Sequence, residues 1–425
     1  MSGKKIQSIQ GTFDLLPGEW TWWRTLEDAA RMEFELAGYS EIRTPIIESA
    51  QLFIKGTGAT TDIVQKEMYI IPQEKGDGIA LRPEGTPSVI RAYLEHGLAQ
   101  KKKFQKLYYI GPMFRRERPQ KGRQRQFHQI GIEAIGASSP LLDAETIITA
   151  VNVYRRMGLS GFETHLNSIG CEKCRPEFRK AVIGKLKAHK DQLCDLCRER
   201  LERNVFRIID CKEPGCRALC AGLPRMVDFL CDDCAPHYAR VKEALNEAGV
   251  PFEEDPYLVR GLDYYTKTVF EIAHGSLGAR SAICGGGRYD ALVEGLGGNP
   301  TPCVGFAMGT EASILAMQAE LNENGLNGER SLDAYIVTFC PEARATAFAV
   351  LRRLRAACIC ADMDYEERSG KAQMRTANKL GARYVLIIGE SELESKTVSM
   401  KVMATGEQIS VPGAEIAGRI TQELK

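Results

Sequence analysis

Phe114-Arg-Arg-Glu-Arg-Pro-Gln-Lys-Gly-Arg-Gln-Arg-Gln-Phe-His-Gln-Ile-Gly-Ile-Glu133 decides how the chain is read. Lys106-Leu-Tyr-Tyr-Ile110 lies before it, and Arg125 to Glu133 closes it; both are strand-like runs. The Pro- and Gly-bearing connection between them makes a strand–loop–strand hairpin. Alternation through 125–133 puts Arg125, Phe127, Gln129, Gly131 and Glu133 on one face.

The hairpin carries the densest charge in the chain. Residues 101–125 hold ten Lys and Arg against one acid, Glu117, while the whole 425-residue chain has a formal charge of +1. A near-neutral total excludes a globally basic nucleic-acid coat, so any polyanion must meet a local patch. Arginines outnumber lysines over 115–125, and their planar forks suit phosphate. The chain has no G-x-x-x-x-G-K-[ST] loop, nor a G-x-G-x-x-G opening a helix after a strand. A nucleotide bound here would lie on a sheet gripped by arginines rather than at a helix N-terminus.

Working outward, Trp20 to Gly38 reads as an amphipathic helix with a glycine stop. Further helices are predicted over 86–97 and 140–157, and strands over 41–48 and 67–71. So many strands with few helices between them favour an antiparallel sheet. Residues 171–234 hold nine of fourteen cysteines and read as an inserted module. Residues 321–330 have linker character, and 331–425 alternate strand and helix as a small α/β domain. The expected organisation is a catalytic domain in two parts (1–170 and 241–320), a Cys-rich insertion (171–240), the linker, and the C-terminal domain. No apolar run reaches the ~18 residues of a membrane span. Fourteen cysteines without a secretion signal point to a reducing cytoplasm.

Five strings together resemble the histidyl-tRNA synthetase family. The hairpin is similar to its motif 2. Arg260-Gly-Leu-Asp-Tyr-Tyr-Thr266 and Gly285-Gly-Gly-Arg-Tyr-Asp290 are similar to its histidine-specific signatures. Ile9-Gln-Gly-Thr-Phe-Asp-Leu-Leu-Pro17 and Leu81-Arg-Pro-Glu-Gly-Thr86 complete the set, in family order. The resemblance implies an α+β fold: a class II antiparallel-sheet catalytic domain, plus a C-terminal α/β anticodon-binding domain. It implies a cytoplasmic homodimer that uses ATP and Mg²⁺ to join L-histidine to tRNA(His) through histidyl-adenylate. Glu84, Gln129 and Glu133 would hold the substrate ammonium, with Thr86 beside them. Tyr264 and Tyr265 would contact the imidazole. Arg115 and Arg260 would flank the α-phosphate, and Phe127 would stack on adenine.

One position departs from the pattern. Gly305-Phe-Ala-Met-Gly-Thr-Glu-Ala312 places alanine where the family's third motif has an arginine that holds ATP. That alanine supports a rival reading, a non-charging regulatory subunit of ATP phosphoribosyltransferase. The intact Arg115, the Arg260 signature and the C-terminal domain oppose it.

In the insertion, Cys171-x₂-Cys174 and Cys194-x₂-Cys197 have the spacing of one tetrahedral zinc site. Cys211, Cys216, Cys220, Cys231 and Cys234, with His237 nearby, offer a second set whose pairing is unreadable. Glu366, Arg368, Ser369 and Lys371, in a loop before a helix, are candidate anticodon contacts by fold analogy.

Overall fold

The computed structural model describes residues 5–424, apart from 60, 75–76, 120–122, 204, 210, 212, 281 and 322–331. Most of the expected 321–330 linker therefore lies outside the described residues. The chain falls into two compact units, Met1–Leu326 and Asn327–Lys425.

In the first unit the strands are β1 (Ser40–Glu41), β2 (Ile47–Ser49), β3 (Tyr69–Ile71), β4 (Ile79–Leu81), β5 (Gln105–Phe114) and β6 (Gln126–Ile135). They continue with β7 (Phe162–Ser168), β8 (Glu253–Glu254), β9 (Thr266–His274), β10 (Ala282–Arg288) and β11 (Cys303–Gly309). Eight form one sheet in the order β1-β5-β6-β11-β10-β9-β7-β8. Every pairing from β5 to β7 is antiparallel; the short edge strands β1 and β8 add in parallel.

The expected hairpin is β5–β6, paired from Gln105↔Ile135 to Phe114↔Gln126. Its even positions Ile130, Ile132 and Ala134 are fully buried in the main core with Phe34, Ile147, Tyr154 and Phe306. The Trp20–Leu36 and Pro140–Arg156 helices supply that cover. The first buries Trp23, Leu26, Ala30 and Phe34, which lie on one stripe at helical spacing. The second starts on Ser139, whose hydroxyl caps Leu141 N at 3.3 Å, with Pro140 at its first position. The odd positions of β6 are thus left on the opposite face of the sheet.

Two strand expectations need correction. The run 41–48 is not one strand: β1 joins the large sheet, while β2 joins a separate β2-β4-β3 sheet. Pro45 interrupts it, since proline has no N–H to offer a ladder. In the 67–71 run only 69–71 is strand; Ile63–Glu67 is a π-helical turn.

The insertion is helical, with helices at Arg175–Lys187, Asp195–Arg203 and Pro214–Cys220. Phe178, Val182, Leu186, Leu201 and Ile208 form its own small core with the cysteines. The second unit is a sheet of β12 (Ala334–Thr338), β13 (Ala361–Met363), β14 (Tyr384–Ile388), β15 (Thr397–Val402) and β16 (Gln408–Pro412), ordered β13-β12-β14-β15-β16. The first three strands are parallel and the last two antiparallel. Among the described residues no helix is long and apolar enough to cross a membrane.

Candidate active site

The open face of β6 ends in a carboxylate pocket. Glu133, 1% exposed, accepts from Thr86 Oγ1 at 2.6 Å and from the Tyr289 hydroxyl. Glu84, 4% exposed, sits in the turn before the Thr86–Glu95 helix. It accepts from Thr57 Oγ1 at 2.7 Å and from the Tyr264 hydroxyl at 3.0 Å. Gln129, two residues before Gly131 on the same face, fixes that turn by accepting from Gly85 N at 3.2 Å. Tyr264 and Tyr265 are buried, with ring centroids 4.8 Å apart, and Tyr264 meets Tyr289 edge-on at 5.6 Å.

Burial disfavours charge on both acids. It pushes the Glu133 carboxyl up to about 8, although the Thr86 and Tyr289 hydroxyls pull the other way. It also raises Glu84, against the pull of Thr57, Arg115 and Tyr264. Two reluctant carboxylates ringed by hydroxyl donors form a site that a cation would relieve. Tyr289 and Thr57 were missed by sequence reasoning. The Tyr289 signal was available, since it belongs to the Gly285–Asp290 signature; Thr57 lies in no motif.

Arginines border this pocket. Arg115, just past β5, donates its Nε to Pro83 O at 3.0 Å, and its guanidinium lies 5.1 Å from the centre of the Phe127 ring. Arg260 is held by Glu271 at 2.6 Å. The register runs Gly285↔Ala307↔Gly131 across β10, β11 and β6, so Arg260, against Gly285, faces the same side as the pocket. A Cβ on Gly285 would overlap that guanidinium, and one on Gly305 would overlap the Glu133 carboxylate. The two glycines make room for these two side chains.

Arg288, from the same signature, does not line the pocket. It is fully buried and bonds Asp143, with Asp290 at 3.2 Å and Ala137 O at 3.1 Å. His237 Nε2 lies 2.8 Å from Asp143 Oδ2, which Arg288 Nε also reaches at 3.2 Å. Burial alone would raise the Asp143 carboxyl, but His237 and Arg288 hold it below the usual range. His237 thus serves this buried network, which corrects its reading as a metal-ligand neighbour. Ala312, in the first turn of the Thr310–Glu320 helix, is half-buried against the main core. Its neighbour Glu311 accepts from His128 N at 3.0 Å, beside Phe127.

The cysteines pair differently from the linear spacing. Cys171 and Cys174 meet Cys231 and Cys234, whereas Cys194 and Cys197 meet Cys211 and Cys216. The expected Cys171–Cys174–Cys194–Cys197 set is therefore not one site. Cys220 stands apart, its thiol donating to Ile208 O at 3.4 Å. In the second unit Arg368 is tied to Asp364 at 2.6 Å and to Glu366 at 3.4 Å, while Ser369 and Lys371 are exposed.

An antiparallel sheet with a carboxylate pocket between arginines, joined in sequence to a small α/β unit, is the plan of a class II aminoacyl-tRNA synthetase. Comparison with known proteins narrows this. The family model described as histidyl-tRNA synthetase matches residues 11–208 and 227–312, and that of the anticodon binding domain matches 333–423. A histidine–tRNA ligase of Halothermothrix orenii is 46% identical over 406 residues, covering 96% of each chain. One from Desulfitobacterium hafniense is 47% identical over 408 residues, again covering 96% of each. The apo histidyl-tRNA synthetase of S. aureus superimposes with a TM-score of 0.82 at 37% identity, over 98% of this chain and all of that one. The chain belongs to the histidyl-tRNA synthetase family, and it is an aminoacyl-tRNA ligase.

Proposed function

We propose that this chain, a histidine–tRNA ligase, makes histidyl-adenylate between the Glu84–Glu133 pocket and the two arginines. The substrate ammonium sits between Glu84 and Glu133, with Gln129 and Thr86 completing its contacts. Tyr264 and Tyr265 face the imidazole, and a lookalike without its polar atoms would leave the pocket's own groups unpaired. The histidine carboxylate attacks the α-phosphorus of ATP, a new P–O bond forms, and pyrophosphate leaves. Arg115 and Arg260 neutralise the charge that grows on the phosphorus oxygens, and Phe127 stacks on adenine. The 3′-terminal adenosine hydroxyl of tRNA(His) then attacks the acyl carbon, and AMP leaves.

The observation that carries this reading is the buried, cation-seeking carboxylate pair on the same sheet face as two anchored guanidinium groups. Glu67 and Glu117 add hard oxygen donors beside Arg115; burial and then Glu117 raise the Glu67 carboxyl. Those two would hold Mg²⁺ together with the triphosphate, and the ion would screen phosphate charge. On the nucleic-acid side, Arg179, Lys180 and Lys187 of the Arg175–Lys187 helix would meet the acceptor end, and Ser369 and Lys371 the anticodon. Ile46, Ile47, Ile70 and Ile71 are exposed around the β2-β4-β3 sheet and support a homodimer that covers them. The work is done in the cytoplasm, where the free thiols stay reduced.

Histidine-dependent exchange of labelled pyrophosphate into ATP tests the reading. Robust exchange is expected; its absence in folded protein would favour a regulatory, non-charging role. Alanine at 312 leaves a contact unmade, so Ala312→Arg is expected to lower the KM for ATP about tenfold, within the worth of one charge-assisted bond. An unchanged KM would mean that this position is not the missing contact.

A further inference from the structure

We propose that the insertion holds two mononuclear zinc ions, one on Cys171, Cys174, Cys231 and Cys234 and the other on Cys194, Cys197, Cys211 and Cys216. The inference stands apart from the catalytic reading, because it rests on the cysteines alone. In each quartet the four sulfurs lie within 4.8 Å of one another. A zinc–thiolate bond of about 2.3 Å makes each edge of a regular tetrahedron about 3.8 Å. The observed edges match: 3.6 Å for Cys171–Cys174, 3.8 Å for Cys171–Cys231 and 3.9 Å for Cys194–Cys211. A quartet this tight encloses a single ion; an iron–sulfur cluster, with inorganic sulfide inside its thiolates, needs more room.

The backbone is arranged for thiolates. Cys231 N donates to Cys174 Sγ at 3.2 Å, and Cys194 N donates to Cys216 Sγ at 3.3 Å. Each such bond stabilises negative charge on sulfur and links the two halves of a quartet. The two C-x₂-C turns of the first quartet also share one fold. Cys174 N and Arg175 N both point at Cys171 O, at 3.0 and 3.2 Å. Cys234 N and Ala235 N point at Cys231 O, both at 3.0 Å. Each turn opens a helix, Arg175–Lys187 and Cys234–Glu247.

The two sites have different jobs. The first joins the chain where it enters the module to the chain where it leaves, so it clasps the base of the insertion. The residue after Cys174 carries that clasp to the active site: Arg175 Nη2 donates to Tyr265 O at 2.5 Å. The second pins 194–197 to 211–216 inside the module, beside the small core of Leu201 and Ile208. Four thiols closing on one ion supply cross-links that such a core lacks.

Elemental analysis of the purified full chain, with no metal added, tests this. Two equivalents of zinc per chain are expected. C171S/C174S/C231S/C234S should retain one equivalent. C171S/C174S/C194S/C197S takes a pair from each quartet and should retain none. Pairing by sequence neighbourhood demands the opposite order, so that result overturns the assignment. Should either variant fail to fold, the wild-type chain still decides. Reconstituted with Co²⁺, it should bind two ions with the thiolate charge-transfer and ligand-field bands of tetrahedral tetrathiolate sites. No tightly bound metal, a single equivalent, disulfide-linked cysteines, or iron with inorganic sulfide would each overturn the proposal.

Discussion

Arg260→Gln is expected to slow histidine-dependent pyrophosphate exchange by about 10²–10³-fold, the usual cost of losing one pre-organised donor to a developing charge. The KM for histidine should move less than about threefold if, as proposed, the group acts on the transition state and not on the bound amino acid. The geometry explains why the loss should be large. The guanidinium is fixed before substrate arrives: Glu271 holds it at 2.6 Å, and Gly285 leaves it space that any side chain would fill. No reorganisation is then needed when charge appears on the α-phosphate. Glutamine keeps part of the volume and a hydrogen-bond donor but no charge, so a fall in rate would report electrostatics rather than a collapsed pocket. Glu271→Gln supplies the control. It leaves Arg260 in place but loosens it, and should cost less than the loss of the arginine itself. A variant at 260 with normal exchange and an altered histidine KM would move Arg260 out of the phosphate site and into the amino-acid site.

The part of this site that was legible from the residues alone is the one set by local periodicity. Alternation along 125–133 sorts Phe127, Gln129 and Glu133 from Ile130 and Ile132, because a strand has a period of two and one face must be buried. Glu84, Tyr264, Tyr265, Arg115 and Arg260 came instead through the resemblance of their strings to family motifs, which names residues without showing how they meet. What stayed hidden depends on chain segments that meet only in three dimensions. Tyr289 reaches Glu133 across 156 positions, and Thr57 reaches Glu84 across 27. The cysteine pairing was misread because C-x₂-C repeats look like partners along a line. A module inserted between two points of a packed sheet must leave and return side by side, so its first pair meets its last pair. β7 and the Cys234–Glu247 helix, both packed in the main core through Leu166 and Val241, impose that return. The split of 41–48 into two sheets has a visible cause in Pro45, but which sheet each half joins does not follow from it.

Histidine binding is expected to expel a proton from the Glu84–Glu133 pair, and its affinity to rise about fivefold between about pH 7 and about 8 before levelling. The sign follows from burial. In the free protein the Glu133 carboxyl titrates at about 8 instead of 4.5, so below 8 it is mainly protonated. An ammonium group favours the carboxylate, so binding in that window must release the proton, whereas above it the acid is already charged. Without histidine the same shift contributes stability that is fully present below pH 4.5 and is lost as the pH rises through about 8. Melting temperature should therefore fall over that range and recover on adding histidine. Titration calorimetry in two buffers of different ionisation heat counts the protons directly. The measurements belong above pH 7, where the imidazole of free histidine, near 6.5, is already neutral. Glu133→Gln is expected to remove most of the pH slope and to raise the KM for histidine by roughly 10–150-fold, since a hydrogen bond to a charged group is worth about 1.5–3 kcal/mol. It also deprives Thr86 or Tyr289 of an acceptor, so Thr86→Val gauges that lesser loss separately. If Glu133→Gln kept both the slope and the KM, the ammonium would be held elsewhere, and Glu133 would be a buried acid whose only partners are its two hydroxyls.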